Sequence, residues 1–273
     1  MPPEDWAEEV KLAVKMGYTN AKLKARPWFD IFEQVQAVSD ATPNYFRLDL
    51  DFNSLLLNSG YAVPILRDLE EFPKVSMFET PIPQNDVRGY LKIKSRVSRP
   101  IALHYGVPNL TVCVRENVCD GFVIGGGASR VKRQASAAAE VNMPFWLQLV
   151  GTGLTATFAL HLGSVLTHAL WPAITCYETY SDDLIKDKIE VQGGFARVPE
   201  RPGLGVTIDE NALERLKIEP PAEKPEPKMR YCISWPDGTK ICFDHANDYY
   251  REFLAGNLPV FKRGVKFEAS KRI

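Results

Sequence analysis

Residues 46–53 read FRLDLDFN, and the fold turns on that run. Along an extended strand side chains alternate, so Leu48 and Leu50 share one face while Asp49 and Asp51 share the other. A strand ending in Asp-Leu-Asp thus presents two carboxylates on one side. Upstream, KLKARPW (22–28) repeats the arrangement with cations: Lys22 and Lys24 lie on one face of the preceding strand. Downstream, FETPIPQND (78–86) ends a strand at Glu79, and RPIALHYG (99–106) ends another at His104-Tyr105. Lys24, Asp49, Glu79 and Tyr105 recur at intervals of 25, 30 and 26 residues, one strand–helix unit per step.

The same rhythm runs through most of the chain. Strand-like runs are expected at 19–25, 45–51, 75–80, 100–105, 119–124, 144–150 and 173–178. Helix-like stretches lie between them at 28–39, 54–70, 84–97, 109–118, 129–141 and 155–170, after a first helix at 3–16. Strands alternating with helices of this length define βαβ units and a parallel sheet. Seven of them point to a TIM-type (β/α) barrel rather than an open doubly wound sheet, and no GxGxxG opens the series. Residues 190–216 are rich in Gly and Pro, and EPPAEKPEPK (219–228) reads as an extended linker. A small α+β extension follows. Residues 230–235 and 240–244 flank the turn Pro-Asp-Gly-Thr, then come a helix at 247–254 and a strand at 265–269. The expected organisation is a barrel domain over 1–217, a linker over 218–228 and an extension over 229–273.

Composition narrows the function classes. The chain has 273 residues and a formal net charge of -1, which gives no electrostatic footprint for nucleic acid or an anionic membrane. The apolar run 144–174 is broken by Gln148, Gly151, Gly153, His161 and His168 and closed by Pro172, so it reads as a buried strand and helix rather than a membrane span. The first ten residues are acidic and helix-like, unlike a signal peptide. Cysteines 113, 119, 176, 232 and 242 form no CxxC pair and read as reduced thiols of a cytoplasmic protein.

In a barrel the active site sits at the C-terminal ends of the strands. Two lysines side by side there repel each other, which eases loss of one proton and yields a general base. Carboxylates opposite them would hold a hard divalent ion such as Mg²⁺, which stabilises an enediolate. Each residue also has a plainer reading. Lys22 and Lys24 could be solvated or phosphate-facing, Asp49 a helix cap, Glu79 a structural ion-pair partner, and His104 and His161 satisfied core histidines. The regular spacing favours the site.

The four runs KLKARPW, FRLDLDFN, FETPIPQND and RPIALHYG, in that order, resemble the mandelate racemase and muconate lactonizing enzyme branch of the enolase superfamily. The resemblance covers about residues 4–216, with PGLG (202–205) similar to the family's closing segment. It implies Mg²⁺-dependent abstraction of a proton next to a carboxylate of an acid sugar or small acid, as in isomerases and lyases. It implies Lys24 as base, Lys22 as its partner, Asp49 and Glu79 as metal ligands, and Glu178 as an acidic residue at the last strand. Asp51, His104 and Tyr105 become substrate-facing or supporting candidates.

The departures are equally informative. Tyr105 stands where the third acidic metal ligand is expected, Gly125 where a sixth-strand acid/base is expected, and Gly151-Thr152-Gly153 where a histidine is expected. A two-base racemase of the His/Lys type is therefore disfavoured, and a non-catalytic barrel kept for binding or assembly is the alternative. On that resemblance the family's capping domain and first barrel strand are expected to be absent, or else the chain is a fragment of a longer product. Open edges at 19–25 and 173–178 would then seek a partner, such as a second copy in a homo-oligomer.

Overall fold

A computed structural model describes residues 1–220 and 229–271. The linker expected at 218–228 therefore falls, from residue 221 on, outside the described residues. The chain divides into two compact units.

The first unit comprises Met1–Val14, Ala21–Arg99 and the described part of Pro221–Ile273. It holds α1 (Pro3–Lys15), β1 (Asn20–Lys24), α2 (Ile31–Ala41), β2 (Arg47–Asp51), α3 (Ser59–Glu70), β3 (Val75–Glu79) and α4 (Val87–Lys94). Its strands lie in the order β1-β2-β3. Leu23, Leu48, Leu50 and Phe78 are fully buried, and so are Asp51 and Glu79 on the other parity. A strand buried on both faces is the mark of a parallel sheet covered by helices. The helices α2, α3 and α4 are each started by a side-chain cap. Asp30 Oδ1 accepts from the amides of Phe32 and Glu33, Asn58 from Gly60 and Tyr61, and Asp86 from Gly89. Such caps satisfy amides that the helix itself leaves without partners.

The register between β2 and β3 matters for the site. Leu48 pairs with Val75, Asp49 with Met77, Leu50 with Phe78 and Asp51 with Glu79. Ser76 is the extra residue of a bulge, and its hydroxyl donates to Asp49 Oδ1 at 2.7 Å and to the Leu48 carbonyl at 2.9 Å.

The C-terminal extension belongs to this first unit. It consists of β9 (Met229–Ser234), β10 (Lys240–Phe243), α9 (Ala246–Leu254) and β11 (Lys266–Lys271), with sheet order β10-β9-β11 and antiparallel pairing. The hairpin expected at Pro236-Asp237-Gly238-Thr239 is present, with Gly238 at φ +87°. Cys232 and Cys242 sit opposite each other on β9 and β10 and are joined by a disulfide, which corrects the expectation of five reduced thiols. Cys113, Cys119 and Cys176 carry no disulfide.

Aromatic rings dock the extension onto the loops that follow β1 and β2. Trp28 meets Tyr249 and Tyr250 edge-on at 5.0 and 5.4 Å, Phe29 meets Phe267 at 5.1 Å, and Phe52 meets Phe261 at 5.4 Å. Each such pair contributes about 0.5–1.5 kcal/mol beyond its buried area. The Arg263 guanidinium lies 3.6 Å from the Phe32 ring centroid, and the Gly264 amide donates to Asp30 Oδ2 at 2.5 Å.

The second unit comprises Lys15–Asn20 and Pro100–Pro220. It contains β4 (Ile101–His104), α5 (Leu110–Glu116), β5 (Gly121–Ile124), α6 (Ala128–Glu140), β6 (Phe145–Leu147) and α7 (Gly153–Gly163). A short hairpin of β7 (Val191–Gln192) and β8 (Phe195–Ala196) and the helix α8 (Glu210–Leu216) follow. The strands β4-β5-β6 run in order and parallel. The seventh strand expected at 173–178 shrinks to one parallel bridge, Gln148 with Ile174. Cys176 adopts φ 54°, which turns the chain out of the extended state, and a 3₁₀ turn, Tyr177–Thr179, follows. No helix among the described residues is long and apolar enough to cross a membrane.

Candidate active site

The ends of β1, β2 and β3 bring Lys22, Lys24, Asp51 and Glu79 together. Lys22 Nζ lies 3.1 Å from Asp51 Oδ2 and also contacts Glu79 Oε2. Lys24 Nζ donates to the same Asp51 oxygen. The two lysines differ in access. The Lys22 side chain is 7% exposed, that of Lys24 46%. One is a fixed charge inside the strand layer, whereas the other reaches solvent.

Asp51 is committed through both oxygens. Oδ2 receives the two ammonium groups, while Oδ1 accepts from the Asn53 amide at 2.9 Å. Burial works to raise its pKa, but Lys22 and Lys24 outweigh that and hold the carboxyl below the usual range. Asn53 then serves as a second relay. Its Oδ1 accepts from Arg26 at 3.0 Å and from Lys24 at 3.4 Å. Asn53, Ser54, Leu57 and Thr80 all have positive φ, so the loops after β2 and β3 hold unusual backbone beside the charged cluster. Strain of this kind gathers where surrounding structure over-determines a site. The Phe52 and Ser54 amides donate to the Glu79 and Thr80 carbonyls at 3.0 and 2.7 Å, stitching these loops together.

The expected carboxylate pair was Asp49 with Glu79. The register places Asp51 opposite Glu79 instead, with Asp49 opposite Met77. Asp49 is buried beneath the cluster. Burial pushes its pKa up to about 6, against the Ser76 hydrogen bond and the Lys22 charge. Asn53, Arg26 and Ser76 went unnoticed in the sequence. The Asp-x-Asn spacing of 51–53 was the available signal for Asn53.

The other candidates lie in the second unit. His104 is the last residue of β4, half-buried and in register with Val123. Tyr105 follows it and packs edge-on against Phe122 at 5.1 Å, and burial raises its phenol pKa. Glu178 is exposed on the 3₁₀ turn rather than at a strand end. Asp120 accepts from the Ile101 amide at 2.8 Å. At Gly125 an added Cβ would lie 2.5 Å from the Gln148 carbonyl oxygen, so the backbone leaves no room for a side chain there.

These donors do not fit the expected metal. Mg²⁺ demands near-octahedral oxygen coordination. Among the described residues no group of three or more His, Cys, Asp or Glu could hold an ion. The two carboxylates that pair at the strand ends are both engaged by Lys22.

Parallel strands alternating with helices, with acids and lysines gathered where strands end, define a barrel-type α/β domain. The chain belongs to the enolase C-terminal domain-like family, whose model matches residues 5–212, in the mandelate racemase/muconate lactonizing branch of the enolase superfamily. An o-succinylbenzoate synthase from Geobacillus stearothermophilus is 26% identical over 77% of this chain and 57% of its own length. A D-gluconate dehydratase from Thermoproteus tenax is 28% identical over 80% of this chain and 47% of its own. A crystal structure of a mandelate racemase/muconate lactonizing family protein from Azoarcus sp. EbN1 superposes with TM-score 0.67. It is 26% identical, over 79% of this chain and 62% of that one. The chain thus spans less than two thirds of the length of each.

Proposed function

We propose that the chain removes a proton from the carbon next to the carboxylate of a small organic acid, with Lys24 as the base. The observation that carries this is the unequal pair of lysines sharing one Asp51 oxygen. A base must reach its substrate, and only Lys24 combines that access with a place in the cluster. Lys22 supplies a fixed positive charge, and Asp51 sets the position of both amines. Arg26, anchored on Asn53, offers a guanidinium fork suited to the substrate carboxylate. The names of the relatives support a substrate among acid sugars and related small acids.

The test is exchange of the α-proton in D₂O, followed by NMR over a panel of sugar acids that includes D-gluconate. Lys24→Met should slow exchange by roughly 10²–10⁴-fold. Absence of exchange with every acid would overturn the assignment. A second reading, a barrel that binds acids without turning them over, is favoured by Tyr105 and Gly125. It predicts saturable binding of an acid without exchange.

A further inference from the structure

We infer that the Lys22 ammonium is the resident cation of this site. It stands between the two carboxylates where a divalent metal would have to sit, so the site functions without Mg²⁺. The inference rests on reading the strand-end cluster as the active site, but its test needs no turnover.

Four observations carry it. First, Lys22 bridges carboxylates of two neighbouring strands, touching Asp51 Oδ2 and Glu79 Oε2. Two buried acids facing each other need a cation between them, and the chain provides one covalently tethered to β1. Second, the bridge is dry: the side chains of Lys22, Asp51 and Glu79 are 7%, 0% and 1% exposed. A hydrated ion would have to displace a buried ammonium rather than water. Third, the cluster carries part of its own counter-charge. With Lys24 acting as the neutral base, Lys22 already offsets one of the two buried carboxylate charges, so an added dication beside it would leave a net positive charge in a poorly solvated place. Fourth, the ligand set is short. Asp51 Oδ1 is occupied by the Asn53 amide, which leaves Lys22 between the only two carboxylates that meet at the strand ends of this unit among the described residues.

The consequence for chemistry is specific. A single ammonium stabilises a developing enediolate less than a dication does, but needs no loading and responds to no chelator. Removing that ammonium while leaving the acids should create the metal site that Lys22 now fills.

The experiment is calorimetric titration of the full chain with MgCl₂, and with MnCl₂ as a second probe. Wild type should give no saturable heat up to about 10 mM ion, roughly tenfold above the weak end of protein sites for Ca²⁺. Lys22→Met should bind at least about tenfold more tightly, and the double variant Lys22→Met/Glu79→Gln should lose that gain. Lys22→Arg, which keeps the charge, should behave as wild type. Saturable binding by wild type that Glu79→Gln abolishes would overturn the inference, as would a folded Lys22→Met that gains nothing. Were Lys22→Met not to fold, the wild-type titration decides alone: binding overturns the inference and its absence upholds it. Failure of proton exchange bears on the proposed reaction and leaves this result intact.

Discussion

At Asp51 the two carboxylate oxygens face opposite demands. One gathers both lysines and the other closes a turn with the Asn53 amide. Two positions earlier, Asp49 shares the same strand parity yet ends beneath the cluster, held by Ser76. Alternation in FRLDLDFN made both aspartates legible as one face. It could not rank them, because the ranking depends on a bulge in the neighbouring strand that leaves no pattern in either sequence segment. Asp49 gives a pH prediction. Its folded pKa of about 6 exceeds the ordinary 3.8 because burial disfavours the charge. The folded state therefore holds this proton more tightly than the unfolded chain. The resulting stability is complete below the ordinary value and is lost as pH rises through about 6. Urea unfolding should show a decline of roughly 2–3 kcal/mol from this group between about pH 4 and pH 7. In Asp49→Asn that decline should vanish; an unchanged profile would assign the titration elsewhere. Gly125 makes a simpler case. With an added Cβ 2.5 Å from the Gln148 carbonyl, Gly125→Ala should cost about 1–3 kcal/mol by overpacking, read as a lower urea midpoint.

Among elements, the C-terminal extension contributes most that was hidden. Its hairpin, helix and final strand were readable from Pro-Asp-Gly-Thr and the flanking runs. Its docking was not, because Trp28, Phe29 and Phe52 are ordinary loop aromatics until the partners Tyr249, Phe267 and Phe261 are known. Phe261 presses on Phe52, the residue between Asp51 and Asn53, so the extension buttresses the loop that sets the site. Phe261→Ala should destabilise the first unit by about 3–5 kcal/mol. Amide exchange should report that loss in both α9 and the loop after β2; loss confined to α9 would show that the loop stands without it. The seventh strand is the instructive miss. Residues 173–178 have strand-like composition, but the left-handed turn at Cys176 is a backbone event that composition does not announce. The first six strands were legible because each alternates or is uniformly apolar between helix-like stretches.

At the scale of the molecule, the family was readable from four ordered runs, and the matched model spans most of the chain. The chemistry was only partly readable. The sequence called for a metal held by Asp49 and Glu79, whereas the register pairs Asp51 with Glu79 and seats an ammonium between them. What decides the account is whether this chain moves a carbon-bound proton by means of Lys24. The direct measurement is NMR of α-proton exchange in D₂O with EDTA present, comparing wild type with Lys24→Met over the same panel of sugar acids. The account predicts exchange by wild type despite the chelator and its loss, by roughly 10²–10⁴-fold, in Lys24→Met. Equal exchange in both proteins, or none in either with or without Mg²⁺, would contradict it.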